Sequence, residues 1–149
     1  MSIKFDFSQD PHINVHMITG EDGVTEIQNL IDLWKHNYTT KKHFSFRFHT
    51  EKLTMPSMSD LKDLADFIKE YKKLKYQYLQ YSIIIIANNL IRKAVQILFK
   101  LTKPMAKVYL VKDNTQATKI YNLIQKHPKK PIFIDAYVKM TKGVDVVLP

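Results

Sequence analysis

Residues 43–50 read His-Phe-Ser-Phe-Arg-Phe-His-Thr, and this stretch constrains the fold more than any other part of the chain. The phenylalanines at positions 44, 46 and 48 alternate with polar residues, which is the two-residue period of a β-strand with one apolar and one polar face. A helical pattern follows from Met58, and then the wholly apolar run Ile83–Ile86. Strands that alternate with helices predict right-handed βαβ units and a largely parallel sheet. Because parallel sheets are normally buried on both faces, a strand with a polar face predicts helices mainly on one side.

The two-residue period of strands and the 3.6-residue period of helices also predict the secondary structure of the rest of the chain. Residues 1–149 are predicted to form one α/β domain with a mixed, largely parallel sheet and helices mainly on one face. The C-terminal residues 127–149 leave two alternatives open, a hairpin and an extended arm that crosses the domain. In chain order the other predicted elements are strands over 3–7 and 12–17, a helix beginning near Asp22 or Thr25, the strand over 43–50, a helix over 58–78, a strand over 82–87, a helix over 90–101, a strand over 107–112 and a helix from Asn114 or Thr115.

Strand alternation also predicts which side chains share the polar face of the sheet. If the apolar residues of the first three strands face the helices, the residues between them point the other way. This polar face could bind a ligand, or it could be covered by the C-terminal arm or by another subunit. Its predicted members are Lys4, Asp6, His12, Asn14, His16, Ser45, Arg47 and His49.

The charge of the chain is divided unequally between its two halves. The formal net charge of +9 arises entirely within residues 76–149, which carry twelve lysines and arginines and only three aspartates. Such asymmetry favours an acidic partner, which could be nucleic acid, an anionic membrane surface or an acidic protein. The alternative is that the lysines serve only solubility. The candidate contacts in this half are Arg92, Lys93, Lys100 and Lys103.

The sequence contains no motif that identifies catalytic chemistry. It has no cysteine and only three glycines, so neither thiol chemistry nor a glycine-rich phosphate-binding loop can be built. Three imidazoles, at His12, His16 and His49, could meet on the polar face and bind zinc, but hydrogen-bonded strand histidines are the favoured interpretation. We therefore predict neither an enzyme nor a cofactor.

No apolar run in the sequence approaches the roughly 18 residues that span a bilayer. The first residues also lack the basic region and long apolar segment of a secretory signal. We expect a cytoplasmic protein, with a place in a virion or another large assembly as the alternative.

Between residues 44 and 75 an alternating strand, the pair Leu53-Thr54, a serine-containing turn and a long helix follow one another. In this order the chain resembles a STAS domain, the fold of bacterial anti-sigma-factor antagonists and of sulfate-transporter tails. The resemblance implies a mixed sheet with its helices on one face. Antagonist-type members carry an Asp-Ser-Ser-Gly turn whose first serine is phosphorylated by a partner kinase. Here the turn reads Ser57-Met58-Ser59-Asp60, so Ser57 or Ser59 would take that role only after a shift of register.

A weaker resemblance is to the CRAL-TRIO lobe of lipid-transfer proteins. It is carried by the apolar strand Ile83–Ala87, the pair Asn88-Asn89, the amphipathic helix Leu90–Leu101 and the pair Lys103-Pro104. Full lipid-transfer members are longer and have an N-terminal helical lobe that has no counterpart here. A closed lipid cavity is therefore not expected from this resemblance.

The leading functional hypothesis is a non-enzymatic protein-interaction module, regulatory or scaffolding, which could also form a homo-oligomer. It would use the polar sheet face, an exposed strand edge or the turn over residues 55–60. The alternatives are a structural component of a large assembly and a basic protein that binds nucleic acid or anionic lipid. The residues expected to contact a partner are Arg47, His49, His12, His16, Ser57, Ser59, Arg92, Lys93, Lys100 and Lys103.

Overall fold

A single six-stranded sheet, with its strands in chain order, is the centre of the computed structural model, which describes residues 1–20 and 25–149. Asp22, one of the two predicted starts of the first helix, lies outside the described residues. The elements are β1 (Ser2–Gln9), β2 (His12–Ile18), α1 (Ile27–Thr39), β3 (Phe44–Lys52), α2 (Met58–Tyr71), β4 (Leu79–Ile85), α3 (Asn89–Leu101), β5 (Val108–Val111), α4 (Asn114–Lys126), α5 (Ile132–Met140) and β6 (Asp145–Val147).

The predicted fold class is confirmed, since the sheet is mixed and mostly parallel. Strands β2 to β5 are parallel, while β1 and β6 pair antiparallel at the two edges. Helices α1, α2 and α3 each connect two adjacent parallel strands. Right-handed crossovers of this kind place all three helices on the same face of the sheet, which we call the first face.

The first face holds the aromatic core. Phe44 and Phe46 are fully buried, and Trp34 of α1 packs edge-on against Phe46 with ring centroids 5.1 Å apart. Phe67 of α2 contacts the same tryptophan at 5.1 Å. Phe48 belongs to the same buried cluster. The alternation in the sequence therefore predicted correctly that the three β3 phenylalanines point toward the helices.

Helices α4 and α5 lie on the opposite, second face, where they cover part of the sheet. Ala117 and Ile120 of α4 and Ile134 of α5 form one buried cluster with Ile83 of β4 and Val111 of β5. Three helices thus cover the first face and two cover the β4–β5 side of the second face. The second face is not open along its whole width.

Two boundaries differ from the predictions. Helix α2 ends at Tyr71, not at residue 78, and the first apolar residues beyond it lie outside the core: Leu74 is 47% exposed and Tyr76 is 65% exposed. Residues 127–149 form neither a hairpin nor an extended arm. They contain helix α5, anchored by the buried Ile134, and the edge strand β6, which pairs antiparallel with β5.

Three helices that follow parallel strands have a polar capping residue at their N-terminus. The Ser57 hydroxyl accepts a hydrogen bond from the Asp60 amide at 3.1 Å, and Asn88 Oδ1 accepts one from the Ile91 amide at 3.0 Å. Asp113 caps α4 in the same way. Each side chain satisfies an amide that has no partner within its own helix. No helix among the described residues has the length and hydrophobicity required to cross a bilayer.

Candidate functional site

Polar side chains of β1, β2 and β3 form a continuous surface on the second face of the sheet. The parallel register pairs His12 with Ser45, Asn14 with Arg47, and His16 with His49. The antiparallel register adds Lys4 beside His16 and Asp6 beside Asn14. Because side chains alternate along each strand, these neighbours project from the same face. The structure therefore brings together His12, His16, Arg47 and His49, four of the residues that the sequence nominated.

Arg47 is the most unusual member of this surface, because its guanidinium is buried and has no carboxylate partner among the described residues. Only 4% of the residue is exposed. Nε donates to His12 Nε2 at 3.3 Å, and Nη1 donates to Asn114 Oδ1 at 2.9 Å and to Thr118 Oγ1 at 3.0 Å. Within the described part of the chain, Nη2 has no hydrogen-bond partner. Burial lowers the pKa of Arg47, although an arginine remains charged at any physiological pH.

Helix α4 supplies the remaining contacts of Arg47. Asn114, Thr118 and Tyr121 lie four and three residues apart, so they share one side of the helix. The Tyr121 ring centroid lies 5.6 Å from the Arg47 guanidinium carbon, which allows a cation–π attraction. We call Arg47, His12, Ser45, Asn114, Thr118 and Tyr121 the Arg47 cluster. Helix α4 covers the second face of the sheet as far as this cluster and no further.

The tautomer of His12 follows from its neighbours. Arginine can only donate, so His12 Nε2 must be unprotonated to accept from Arg47. The ring proton then lies on Nδ1, which donates to Ser45 Oγ at 2.7 Å. His12 also stacks on Tyr121 with centroids 4.4 Å apart. Burial, and next the positive charge of Arg47, lower the pKa of His12 to about 4, so the ring is neutral at physiological pH.

This arrangement does not provide a serine nucleophile. A general base must present its unprotonated nitrogen to the serine hydroxyl. His12 presents its N–H to Ser45 instead, and its unprotonated nitrogen faces Arg47. The Ser45–His12 pair is thus a structural hydrogen bond.

Beyond the Arg47 cluster the second face is uncovered, and we call Lys4, Asp6, His16, His49 and Glu51 the open strip. The His16 and His49 rings stack with centroids 4.3 Å apart and planes 14° from parallel. His49 Nε2 is 2.8 Å from Asn14 Oδ1. Burial, and then the charge of His16, lower the pKa of His49. An open depression of about 390 Å³ lies here, lined by Lys4, His16, Met17, Ile18, His49, Glu51 and Lys52.

The two nominated serines are separate from this surface. Ser57 is the cap of α2, and Ser59 is exposed in the first turn of that helix. Helix α2 covers the first face of the sheet, whereas the open strip is on the second. Ser57 and Ser59 therefore belong to a different part of the molecule.

The nominated basic residues form a third location. Arg92, Lys93 and Lys100 are exposed on α3, and Lys103 follows directly after it. None of the four makes an ion pair within the described ranges, where Lys42 and Asp10 form the one salt bridge. Some of the other cations of the C-terminal half lie on α4 and in the segment that follows it, on the opposite face of the sheet. The positive charge of that half is therefore split between two surfaces.

Sequence reasoning missed the α4 contribution to the Arg47 cluster. The signal available was the polar and aromatic set Asn114, Thr118 and Tyr121 at helical spacing. This spacing does not show which strand the three residues contact.

No group of three or more histidine, aspartate or glutamate side chains within residues 1–20 and 25–149 is arranged to bind a metal ion.

Comparison with known proteins gives no relative on which this site could be mapped. No family model, curated protein or solved structure matches the chain. The resemblances to STAS domains and to the CRAL-TRIO lobe therefore stay predictions, which depend on the quoted residues alone.

Proposed function

We propose that this chain is a non-enzymatic protein-interaction module, regulatory or scaffolding, whose contact surface is the open strip with the adjoining edge of β1. One observation carries the proposal: helices α4 and α5 cover the second face only as far as the Arg47 cluster. The rest of that face contains the depression of about 390 Å³. A concave polar surface bordered by a sheet edge is suited to receive side chains and a strand of another protein.

The edge of β1 strengthens this proposal. It is the outermost strand, so its free backbone groups can pair with an added strand. Phe7 is 49% exposed, but it alternates with Lys4 and Asp6 and its ring lies beside that of Phe5, so it is on the first-face side and not on the open strip. Near the start of the strand the edge is blocked, because Glu26 Oε1 accepts a hydrogen bond from the Ile3 amide at 2.8 Å. A partner strand would therefore pair with the later residues of β1.

The charges on this surface favour a protein partner over nucleic acid. Lys4 of the open strip and Lys52, which also lines the depression, are accompanied by Asp6 and Glu51, so the surface has no net positive excess. Nucleic-acid binding depends on many cations that contact phosphates. A surface of mixed charge instead offers complementary pairs to a folded protein.

The proposal is tested by affinity capture from the native source with three versions of the full chain. They are the natural chain, the strip variant Lys4→Ala/His16→Ala/His49→Ala, and the matched variant Arg92→Ala/Lys93→Ala/Lys100→Ala on α3. Circular dichroism and thermal melting check that each version is folded. We expect one protein to be retained by the natural chain and by the α3 variant but lost from the strip variant. Retention by a folded strip variant would overturn the proposal.

A second candidate function is contact with nucleic acid or an anionic membrane through α3. It is favoured by the exposed cations of α3, which have no ion-pair partners in the described part of the chain. Its outcome in the same experiment is the reverse: the α3 variant loses the captured species, and binding falls steeply with added salt. We also propose a cytoplasmic location, with a place in a virion or another large assembly as the alternative. The identity of the captured species tests which of the two is correct.

A further inference from the structure

Lysine-rich segments precede the three adjacent strands β3, β4 and β5. They cover residues 40–43, 72–78 and 102–107, and together they contain seven lysines and no aspartate or glutamate. Because β3, β4 and β5 are neighbours and run parallel, their first residues lie at the same edge of the sheet. We call these three segments the lysine edge.

Hydrogen bonds join the three segments into one surface. The Tyr38 hydroxyl, near the end of α1, lies 2.8 Å from Gln77 Oε1 of the second segment and 3.1 Å from Met105 Sδ of the third. The Phe44 amide, directly after the first segment, donates to the Tyr78 carbonyl of the second at 3.1 Å. The lysine edge is therefore continuous across the ends of α1, α2 and α3.

Four lysines of this edge are exposed, namely Lys41, Lys73, Lys75 and Lys103. Within residues 1–20 and 25–149, none of the four has an ion-pair partner. Cations are favoured at helix C-termini, and three helices end at this edge, so the charge alone does not identify a partner.

Exposed apolar side chains stand among these lysines. Leu74 and Tyr76 belong to the second segment, and Leu101 directly precedes the third. The Gln77 side chain fixes the turn that carries Leu74, since its Nε2 donates to the carbonyl oxygens of Tyr71 and Leu74 at 3.0 Å each. The exposure of Leu74 is therefore built into the turn. Compensation of the helix dipoles does not account for exposed apolar side chains at this position.

We propose that the lysine edge binds the surface of an anionic lipid bilayer. Its lysines contact the anionic headgroups, while Leu74 and Tyr76 enter the interfacial region, where apolar and aromatic side chains beside basic residues are typical of peripheral binding. A single-stranded nucleic acid would use the lysines and stack on Tyr76, but it would leave Leu74 without a partner. This surface is separate from the open strip, so the inference goes beyond the proposed protein contact.

The lysine edge also differs from a contact through the whole of α3. Arg92 and Lys93 lie near the start of that helix, about 14 Å along its axis from the end that meets the lysine edge. This distance exceeds the screening length of roughly 8 Å at physiological salt, so these two cations contribute little to binding at the edge.

The test is co-sedimentation of the full chain with vesicles of phosphatidylcholine alone and of phosphatidylcholine mixed with phosphatidylserine. Binding of fluorescently labelled poly(U) RNA is measured in parallel by anisotropy. The apolar pair of variants is Leu74→Ser and its matched control Leu90→Ser, because the two leucines are 47% and 51% exposed and Leu90 lies at the start of α3.

The charge pair of variants is Lys73→Ala/Lys75→Ala at the lysine edge and Arg92→Ala/Lys93→Ala on α3. All four side chains are exposed. Circular dichroism checks that every variant is folded.

We expect the natural chain to bind the vesicles that contain phosphatidylserine, and neither the phosphatidylcholine vesicles nor the RNA. Leu74→Ser should weaken vesicle binding about tenfold, through the loss of apolar burial, and Leu90→Ser should leave it unchanged. Lys73→Ala/Lys75→Ala should weaken it about 25-fold, since each lysine near an anionic surface contributes about fivefold, and Arg92→Ala/Lys93→Ala should change it by less than about threefold.

Absence of binding to the phosphatidylserine vesicles would overturn the proposal. Equal losses within either pair of variants would do the same, because they would show that the lysine edge is not the contact surface. Binding of the RNA in place of the vesicles would assign these lysines to nucleic acid and would also overturn it.

Discussion

Replacing His12 with glutamine should remove a large part of the acid sensitivity of this protein. The neutral imidazole accepts from Arg47 and donates to Ser45. Protonation adds a second N–H to the ring, at Nε2, where the new hydrogen meets the Arg47 N–H and a like charge. A glutamine can accept from Arg47 through its carbonyl and donate to Ser45 through its amide, but it does not titrate. His12→Gln therefore keeps both hydrogen bonds and loses only the protonation step.

The size of the effect follows from the pKa of His12, which is about 4 in the folded chain against an ordinary value of 6.5. Below pH 6.5 the unfolded chain binds a proton that the folded chain does not, so the free energy of unfolding falls as the pH falls. The full difference corresponds to about 3 kcal/mol. Between about pH 7.5 and about pH 5, where most carboxylates stay ionised, the loss is about 2 kcal/mol.

The assay is urea unfolding, followed by circular dichroism, of the natural chain and His12→Gln across this pH range. The natural chain should lose about 2 kcal/mol more than the variant on acidification. His49, whose pKa is also lowered, contributes in the same direction but is present in both proteins and cancels in the comparison. Parallel curves for the two proteins would refute the conclusion that His12 is neutral because it is buried beside Arg47.

Two further substitutions test the fold. Phe46→Ala should cost about 3–5 kcal/mol of the free energy of unfolding, because it leaves a cavity beneath Trp34, whereas Phe7→Ala at an exposed site should change it by less than about 0.5 kcal/mol; urea unfolding measures both, and similar losses would contradict the assigned core. Ser57→Ala should cost about 1 kcal/mol by removing the α2 cap, and Ser59→Ala should cost much less. Equal melting temperatures for the two serine variants would show that the cap contributes nothing.

The sequence predicted the features that depend on local periodicity. Alternation across β3 correctly placed its three phenylalanines toward the helices and Arg47 on the other face. These features need only neighbouring residues, so a single sequence contains the information.

Features that depend on packing between distant segments were missed. The Arg47 guanidinium meets Asn114 and Thr118, which lie 67 and 71 residues further along the chain. No local pattern specifies that meeting. The same reason explains α2, which stops at Tyr71 because Leu74 and Tyr76 are exposed and have no core to pack against. It also applies to the tail, whose helix α5 is anchored through Ile134 by a cluster built from other segments.

The most direct test of the account is photo-crosslinking from defined positions of the full chain in an extract of the native source. One version carries a photoreactive side chain in place of Lys4, on the open strip, and the other carries it in place of Lys93, on α3. The account predicts a discrete crosslink to another protein from position 4 and none from position 93. A crosslink to protein or nucleic acid from position 93, with none from position 4, would contradict it.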